Sequence, residues 1–290
     1  MKKIFIPAFI LSAVFASCDT SGVKKTKTSE TALPERKGEK KKEVNITQDA
    51  VESLKPTAKP ITSVHESNGI RIEWFEKGSG ELLKEGEVVK INYDVRLEDG
   101  TLVDGNQLLN RDWLPFLVGF GVQTKGWDLA FRKLRVGDFV EIVLPGNLAR
   151  GKKGVKGLIP PDAVNIIHVR VLSKMAPTKI VDGTKVWLLE ENEKETTRAS
   201  EENTVEMHYM VGTPSNPKYD ISYRRNTPFV MKFSDFGIVR GLKKALIGAK
   251  RSDKIWIVVP ASEGYGEKGL VDLVKPNEML FYDVFVTDVR

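Results

Sequence analysis

The side chains that most often carry catalysis are sparse in this sequence. The single cysteine is Cys18, and the histidines are scattered at His65, His168 and His208, so no metal-ligand spacing exists. The glycine-rich segments around Ser79 and Tyr265 lack the lysine and strand context of a phosphate-binding loop. Asp104 and Asp220 lie far apart in the chain and are not predicted to act as paired acids. Metal-dependent, phosphate-loop and paired-acid chemistry are therefore not predicted.

A group of polar side chains set among aromatic residues remains in the C-terminal half. Asp220 and Arg225 could pair, and Tyr265 adds a hydroxyl group. Apolar side chains surround these three in the sequence: Tyr209, Tyr219, Phe229, Ile238, Val239, Leu242, Val274 and Tyr282. Taken singly, each of these is typical of ordinary core packing. As an ordered set around three polar residues, they favour a ligand pocket.

The elements that must position this set occur twice along the chain. An alternating strand pattern around Tyr93 recurs around Tyr209, and Gly126 recurs as Gly241. A short amphipathic helix follows each of these glycines, and alternating strands flank it. Strands outnumber helices and come in runs, so each copy is predicted to be α+β, an antiparallel sheet with one short helix packed on it.

Net charge argues against a nucleic-acid-binding protein. The chain has a formal charge of +6, but Lys2, Lys3, Asp19 and residues 22–44 together supply five of these charges. The two repeats are therefore almost neutral, and no basic face is predicted on them.

The N-terminus is predicted to direct export. Two lysines precede an apolar run that is too short to span a bilayer, and Ala16-Ser17-Cys18 follows. The position of Cys18 resembles a bacterial lipoprotein signal, so residues 1–17 are predicted to be a signal peptide and Cys18 a lipidation site. Ordinary cleavage after Ala16 or Ser17 is the alternative. Residues 18–68, which are rich in charge and poor in apolar side chains up to position 44, are predicted to be a disordered tether.

Across residues 69–290 the sequence resembles the FKBP family of peptidyl-prolyl isomerases. The resemblance rests on the order and spacing of short segments in both copies: 97–100, 103–104, 125–127 and 157–161, then 219–220, 225–229, 239–241 and 263–266. It implies two domains, 69–175 and 178–290, each an antiparallel half-barrel wrapped around one short helix. The junction is predicted at Ala176-Pro177-Thr178, where the two domains should be separable.

The resemblance also assigns roles in the second copy. It implies that Asp220, Arg225 and Tyr265 are the catalytic residues, with Leu242 at the pocket floor and the backbone N–H of Val239 holding the peptide. The pocket wall would be formed by Tyr209, Tyr219, Phe229, Ile238, Val274 and Tyr282. Prolyl peptides and macrolides are the ligands that the family binds.

The first copy departs from this pattern. It keeps Tyr93, Asp104, Trp127 and Ile159, the residues of a second and weaker pocket. Apolar or aromatic positions of the other copy are here replaced by Val103, Gln123-Thr124, Arg150 and Ile167. Its pocket is therefore predicted to be shallower and more polar, either a weak enzyme or a peptide-holding module.

Two functions are compatible with the sequence. The first is a cofactor-independent prolyl isomerase that acts on exported proteins and is lipid-anchored in the cell envelope, at the outer membrane of a bacterium with two membranes. The second is a non-catalytic chaperone or interaction module in which both pockets hold apolar peptide.

Overall fold

The computed structural model describes residues 54–290. The predicted signal peptide, Cys18 and most of the predicted tether lie outside this range. Within residues 54–290, no helix combines the length and the apolar character needed to cross a membrane.

Domain 1 is one antiparallel sheet of seven strands with a single α-helix. The strand order is β1-β2-β6-β7-β3-β4, and β5 pairs with the other end of β3. The bounds are β1 Thr62–His65, β2 Arg71–Glu76, β3 Val88–Arg96, β4 Leu102–Gly105, β5 Leu114–Leu117, α1 Lys125–Phe131, β6 Phe139–Leu144 and β7 Asn165–Lys174. Strand β1 pairs with β2, so the sheet begins within the segment predicted as tether, ahead of residue 69.

Domain 2 repeats this sheet strand for strand. Its order is β11-β10-β14-β13-β9-β8, and β12 pairs with the other end of β10. The bounds are β8 Lys179–Val181, β9 Thr184–Glu190, β10 Thr204–Gly212, β11 Asp220–Ile221, β12 Phe229–Lys232, α2 Arg240–Leu246, β13 Lys254–Val259 and β14 Leu280–Val289. The predicted α+β class, with two tandem copies of one sheet and one helix, is confirmed.

The repeated glycine lets each helix approach the sheet closely. A Cβ at Gly126 would lie 2.7 Å from the Leu148 carbonyl oxygen, and one at Gly241 would lie 2.5 Å from a Val259 methyl group. Neither contact is sterically acceptable, so a side chain here would push the helix away. The apolar stripe of each helix is buried against the concave face of its sheet, as Trp127 and Leu242 illustrate.

A third apolar cluster joins the two domains. From domain 1 it takes Val88, Leu117 and Phe120. From domain 2 it takes side chains on the outer, convex face of the sheet: Trp187, Met210, Ile221, Trp256, Val258 and Phe281. The Trp187 indole N–H donates to the Met175 carbonyl at 2.8 Å, and the Lys218 ammonium donates to the Val122 carbonyl at 2.9 Å. The domains are therefore packed against each other and not merely tethered.

The corresponding outer face of domain 1 is charged. Asp94, His168 and Glu141 are cross-strand neighbours in one row, and the imidazole contacts Asp94 at 2.7 Å and Glu141 at 3.2 Å. In domain 2 the same row consists of Met210, Asp283 and Trp256. The two copies thus share a concave core but differ on the opposite face.

Candidate active site

A hydrogen-bonded network of three side chains lies at the end of the domain 2 sheet. Strand pairing sets Val211 opposite Asp220, which brings Tyr209 close to the same carboxylate. The Tyr209 hydroxyl donates to Asp220 Oδ2 at 2.5 Å. A short 3-10 turn, Ser222–Arg225, brings the guanidinium back over this strand end. There Arg225 donates to Asp220 Oδ1 at 2.5 Å and to the Tyr209 oxygen at 3.1 Å. The predicted Asp220–Arg225 pair is therefore present.

The network keeps Asp220 ionised. Partial burial alone would raise the pKa of this carboxyl group, but hydrogen bonds from Arg225 and Tyr209 outweigh burial and lower the pKa below its ordinary value. Burial, followed by the bond to Asp220, raises the pKa of Tyr209 to about 12, so its hydroxyl remains a donor at neutral pH. The result is a fixed negative charge on the rim of an apolar surface.

The apolar residues predicted for the pocket wall belong to one packed cluster. Tyr209 meets Phe229 edge-to-face, with ring centroids 5.7 Å apart, and its centroid lies 6.3 Å from that of Tyr282. Four members of the predicted set are buried, namely Val239, Leu242, Val274 and Tyr282. The others pack against them and keep partial exposure: Tyr209, Tyr219, Phe229, Ile238 and Tyr265. Exposed edges on a buried base are what a ligand-binding wall requires.

Tyr265 lies beside Tyr219 at the rim. Burial raises the pKa of both hydroxyl groups, so both keep their protons at neutral pH. Each is therefore a possible donor to a bound carbonyl group.

Domain 1 has a small cavity of about 50 Å³ at the equivalent place. Tyr93 and Trp127 pack edge-to-face there, with centroids 5.3 Å apart, and Ile159 is also buried. Burial raises the pKa of Asp104, although the Gly105 N–H donates to this carboxylate at 2.8 Å. Asp104 therefore lacks the close arginine partner that Asp220 has.

Two site residues were missed by the sequence analysis. Tyr209 was assigned only to the wall, yet its hydroxyl binds Asp220 directly. Asn165, the first residue of β7, lines the domain 1 cavity and was not considered. The repeat could have identified it, because Asn165 is polar whereas the matched residue of the second copy, Leu280, is apolar.

Comparison with known proteins agrees with this geometry. The sequence profile of the family described as FKBP-type peptidyl-prolyl cis-trans isomerase matches residues 80–172 and 195–287. Human "Peptidyl-prolyl cis-trans isomerase FKBP10" is 28% identical over 207 residues, which cover 71% of this chain and 35% of that protein. The chain thus spans about a third of the length of this relative.

Single-domain relatives match one copy. "FK506-binding protein 1" of Candida glabrata is 37% identical over 107 residues, covering 36% of this chain and 91% of that protein. Among solved structures, FkpA from Escherichia coli is 29% identical with a TM-score of 0.36, covering 39% of this chain and 51% of that chain. The match to the family profile in both halves of the chain, together with the Candida relative, decides the assignment. The chain belongs to the FKBP-type peptidyl-prolyl cis-trans isomerase family and carries two family domains in tandem.

Proposed function

We propose that the chain is a peptidyl-prolyl cis-trans isomerase that acts on exported proteins and that most of its turnover occurs in domain 2. The observation that carries this proposal is the Tyr209–Asp220–Arg225 network beside the aromatic wall. Family membership supports the reaction, and the difference between the two pockets supports its assignment to domain 2.

The reaction makes modest chemical demands. Rotation about an X-Pro bond breaks amide resonance against a barrier of about 18–20 kcal/mol, and no bond to carbon is made or broken. A catalyst needs only to bind the twisted amide more tightly than either planar form. An apolar surface favours the twisted form, because an amide that has lost its resonance has less charge separation to solvate.

Domain 2 supplies each of these requirements. Its wall residues Phe229 and Tyr282 would receive the proline ring and exclude water from the amide. Tyr265 offers a hydroxyl proton to a peptide carbonyl at the rim. Asp220 is held ionised by Arg225 and Tyr209, so its charge can act on the rotating carbonyl without rearrangement of the site.

A protease-coupled assay on prolyl peptides tests the assignment with matched double variants. Asp220→Ala with Phe229→Ala removes the fixed charge and buried wall surface, and we expect kcat/KM to fall by about tenfold or more. The matched pair Asp104→Ala with Leu114→Ala should retain most of the turnover. Circular dichroism must show that both proteins are folded. Equal losses, or a larger loss from the domain 1 pair, would contradict the assignment.

The rival function is a peptide-holding module without turnover. The polar replacements in the domain 1 cavity favour this role for that domain. If the wild-type chain binds prolyl peptides while isomerisation proceeds at the rate of the blank, holding is the function of both domains.

The location at a membrane is also part of the proposal, and Cys18 carries it. A lipid on this residue would anchor the domains through a charged tether. We expect the wild type to incorporate a labelled fatty acid and to sediment with membranes, and Cys18→Ser to be released. If the wild type incorporates no labelled fatty acid, lipidation of Cys18 is refuted and ordinary signal-peptide cleavage remains.

A further inference from the structure

The domain 1 cavity contains polar atoms that no other part of the described chain satisfies. Asn165 is only 4% exposed, and within residues 54–290 its side-chain amide nitrogen has no hydrogen-bond partner. The Thr124 hydroxyl is likewise buried and unpartnered among these residues, and it makes no capping bond to α1. Both residues line the cavity. Buried polar groups are normally paired, so unpaired ones that face a cavity are available to bind a ligand.

A half-buried cation lies in the same lining. The Arg150 guanidinium donates to Gln123 Oε1 across a long 3.3 Å contact, and no carboxylate of residues 54–290 forms an ion pair with it. Burial lowers the pKa of Arg150, and the charge of Asp104 opposes this effect only in part. The Asp104 carboxylate also accepts a hydrogen bond from the Gly105 N–H.

Comparison of the two copies shows that these polar groups are specific to domain 1. Apart from Asp104, whose counterpart Asp220 is also an aspartate, four polar residues line the cavity: Gln123, Thr124, Arg150 and Asn165. Their counterparts in domain 2 are Ile238, Val239, Tyr265 and Leu280. The apolar part of the lining is retained as Val155, Leu158, Ile159 and Trp127. Relative to the matched positions of domain 2, domain 1 therefore adds one cation and several neutral donors to an apolar base that also holds Asp104. The added groups suit an anion on an apolar stem.

We propose that the domain 1 cavity binds a peptide carboxylate, either an Asp or Glu side chain or the C-terminal group. Arg150 and the Asn165 amide donate to the carboxylate oxygens, and Thr124 supplies a third donor. The methylene stem of the bound residue packs on Trp127 and Ile159. The cavity of about 50 Å³ is small, which suits a single side chain or chain end. Domain 1 thereby recognises a carboxylate group of a client chain and does not itself isomerise prolyl bonds.

Fluorescence anisotropy with the full chain tests this proposal directly. The probes are fluorescein-labelled hexapeptides without proline that differ at one position, Glu, Gln or Leu, each with an amidated C-terminus. A fourth probe is the Leu peptide with a free C-terminal carboxylate. We expect the Glu peptide or the free-acid peptide to bind about tenfold or more tightly than the amidated Leu peptide. Preference for the Glu probe assigns the side chain as ligand, and preference for the free acid assigns the C-terminus.

Two variants locate the binding in domain 1. Arg150→Tyr and Asn165→Leu each introduce the residue that domain 2 has at the matched position, and each should abolish the preference. Lys152→Tyr removes an exposed positive charge close by in sequence and should leave the preference intact. Near-ultraviolet circular dichroism checks folding, and the comparison of probes on the wild type needs no variant. Equal binding of all probes, no binding of any, or equal effects of Arg150→Tyr and Lys152→Tyr would overturn the proposal. Because the probes lack proline, this result is independent of isomerase activity.

Discussion

His168 carries a positive charge inside the outer face of domain 1. Burial alone would lower its pKa, but hydrogen bonds with Asp94 and Glu141 outweigh burial and raise the pKa to about 9. The folded state therefore binds this proton more tightly than the unfolded chain, where the ordinary value is 6.5. The protonated imidazole stabilises domain 1 by neutralising two carboxylates that share one row.

This linkage predicts a pH-dependent stability of defined sign. The contribution of His168 is fully present below pH 6.5 and is lost as the pH rises through about 9. We expect the free energy of unfolding, measured with urea, to decrease across this window. His168→Gln should flatten the decrease, whereas His65→Gln, on the exposed strand β1, should not. An identical pH profile for wild type and His168→Gln would refute the assignment.

At the level of single residues, the sequence predicts which residues form the site better than it predicts the hydrogen bonds between them. The Asp220–Arg225 pair was predicted because the two residues lie close in sequence. The bond from Tyr209 depends on strand pairing and on the direction of a side chain at the sheet edge. Asn165 was overlooked because it lies outside the segments that carry the family resemblance.

Among the elements, α1 depends on a glycine at its second position. Replacement of Gly126 by alanine has two opposing effects. Alanine favours an isolated helix by about 1 kcal/mol, whereas overpacking of a close contact costs about 1–3 kcal/mol. Because the new Cβ would meet a backbone oxygen, that of Leu148, which cannot rotate away, we expect overpacking to dominate.

Gly126→Ala should accordingly lower the melting temperature of the protein by several degrees. Lys125→Ala, at the adjacent exposed position, has a smaller gain in helix propensity and no clash, and it serves as the control. Scanning calorimetry gives the comparison. A melting temperature for Gly126→Ala at or above that of the control would show that the helix can shift without cost.

Three strands and the helix of each copy could be predicted because their inward residues follow regular periods. The strands are β3, β6 and β7 in domain 1 and β10, β13 and β14 in domain 2. The helices were located correctly, yet each ends earlier than its apolar stripe, and Leu134 and Ala249 are buried just beyond the last turn. Strand β1 was not predicted, because its residues are exposed and carry no alternation that marks a buried face.

Considered as a whole molecule, the chain has an interface that the repeat pattern did not reveal. Strands β13 and β14 contain nearly continuous apolar runs, which indicate burial on both faces. The prediction of these strands rested only on their inward-facing residues. These runs could have indicated that the outer face of domain 2 is buried. The loop around Phe120, which covers this face, has no comparable pattern in the sequence.

The interface changes what separation at Pro177 should produce. We expect residues 178–290 alone to fold, as circular dichroism can show, but to self-associate, because Trp187, Trp256 and Phe281 become exposed together. Size-exclusion chromatography measures the association. The same fragment with Trp187→Glu and Trp256→Glu introduces the residues that domain 1 has at these positions, Glu73 and Glu141, and should elute as a monomer.

An unmodified fragment that is monomeric and melts at the temperature of the full chain would show that the interface adds no stability. An unfolded fragment would show instead that domain 2 cannot form without its neighbour. Either result would contradict the expectation that domain 2 folds on its own and self-associates through its outer face.

The charged row Asp94–His168–Glu141 also limits how such domains can be joined in series. In arrays of stacked repeats, a polar outer face is typical of the unit that ends the stack. The outer face of the domain 2 sheet is apolar and packs against domain 1, whereas the outer face of the domain 1 sheet carries buried charges. A further copy stacked behind domain 1 could therefore not reuse the contact that joins domain 2 to domain 1.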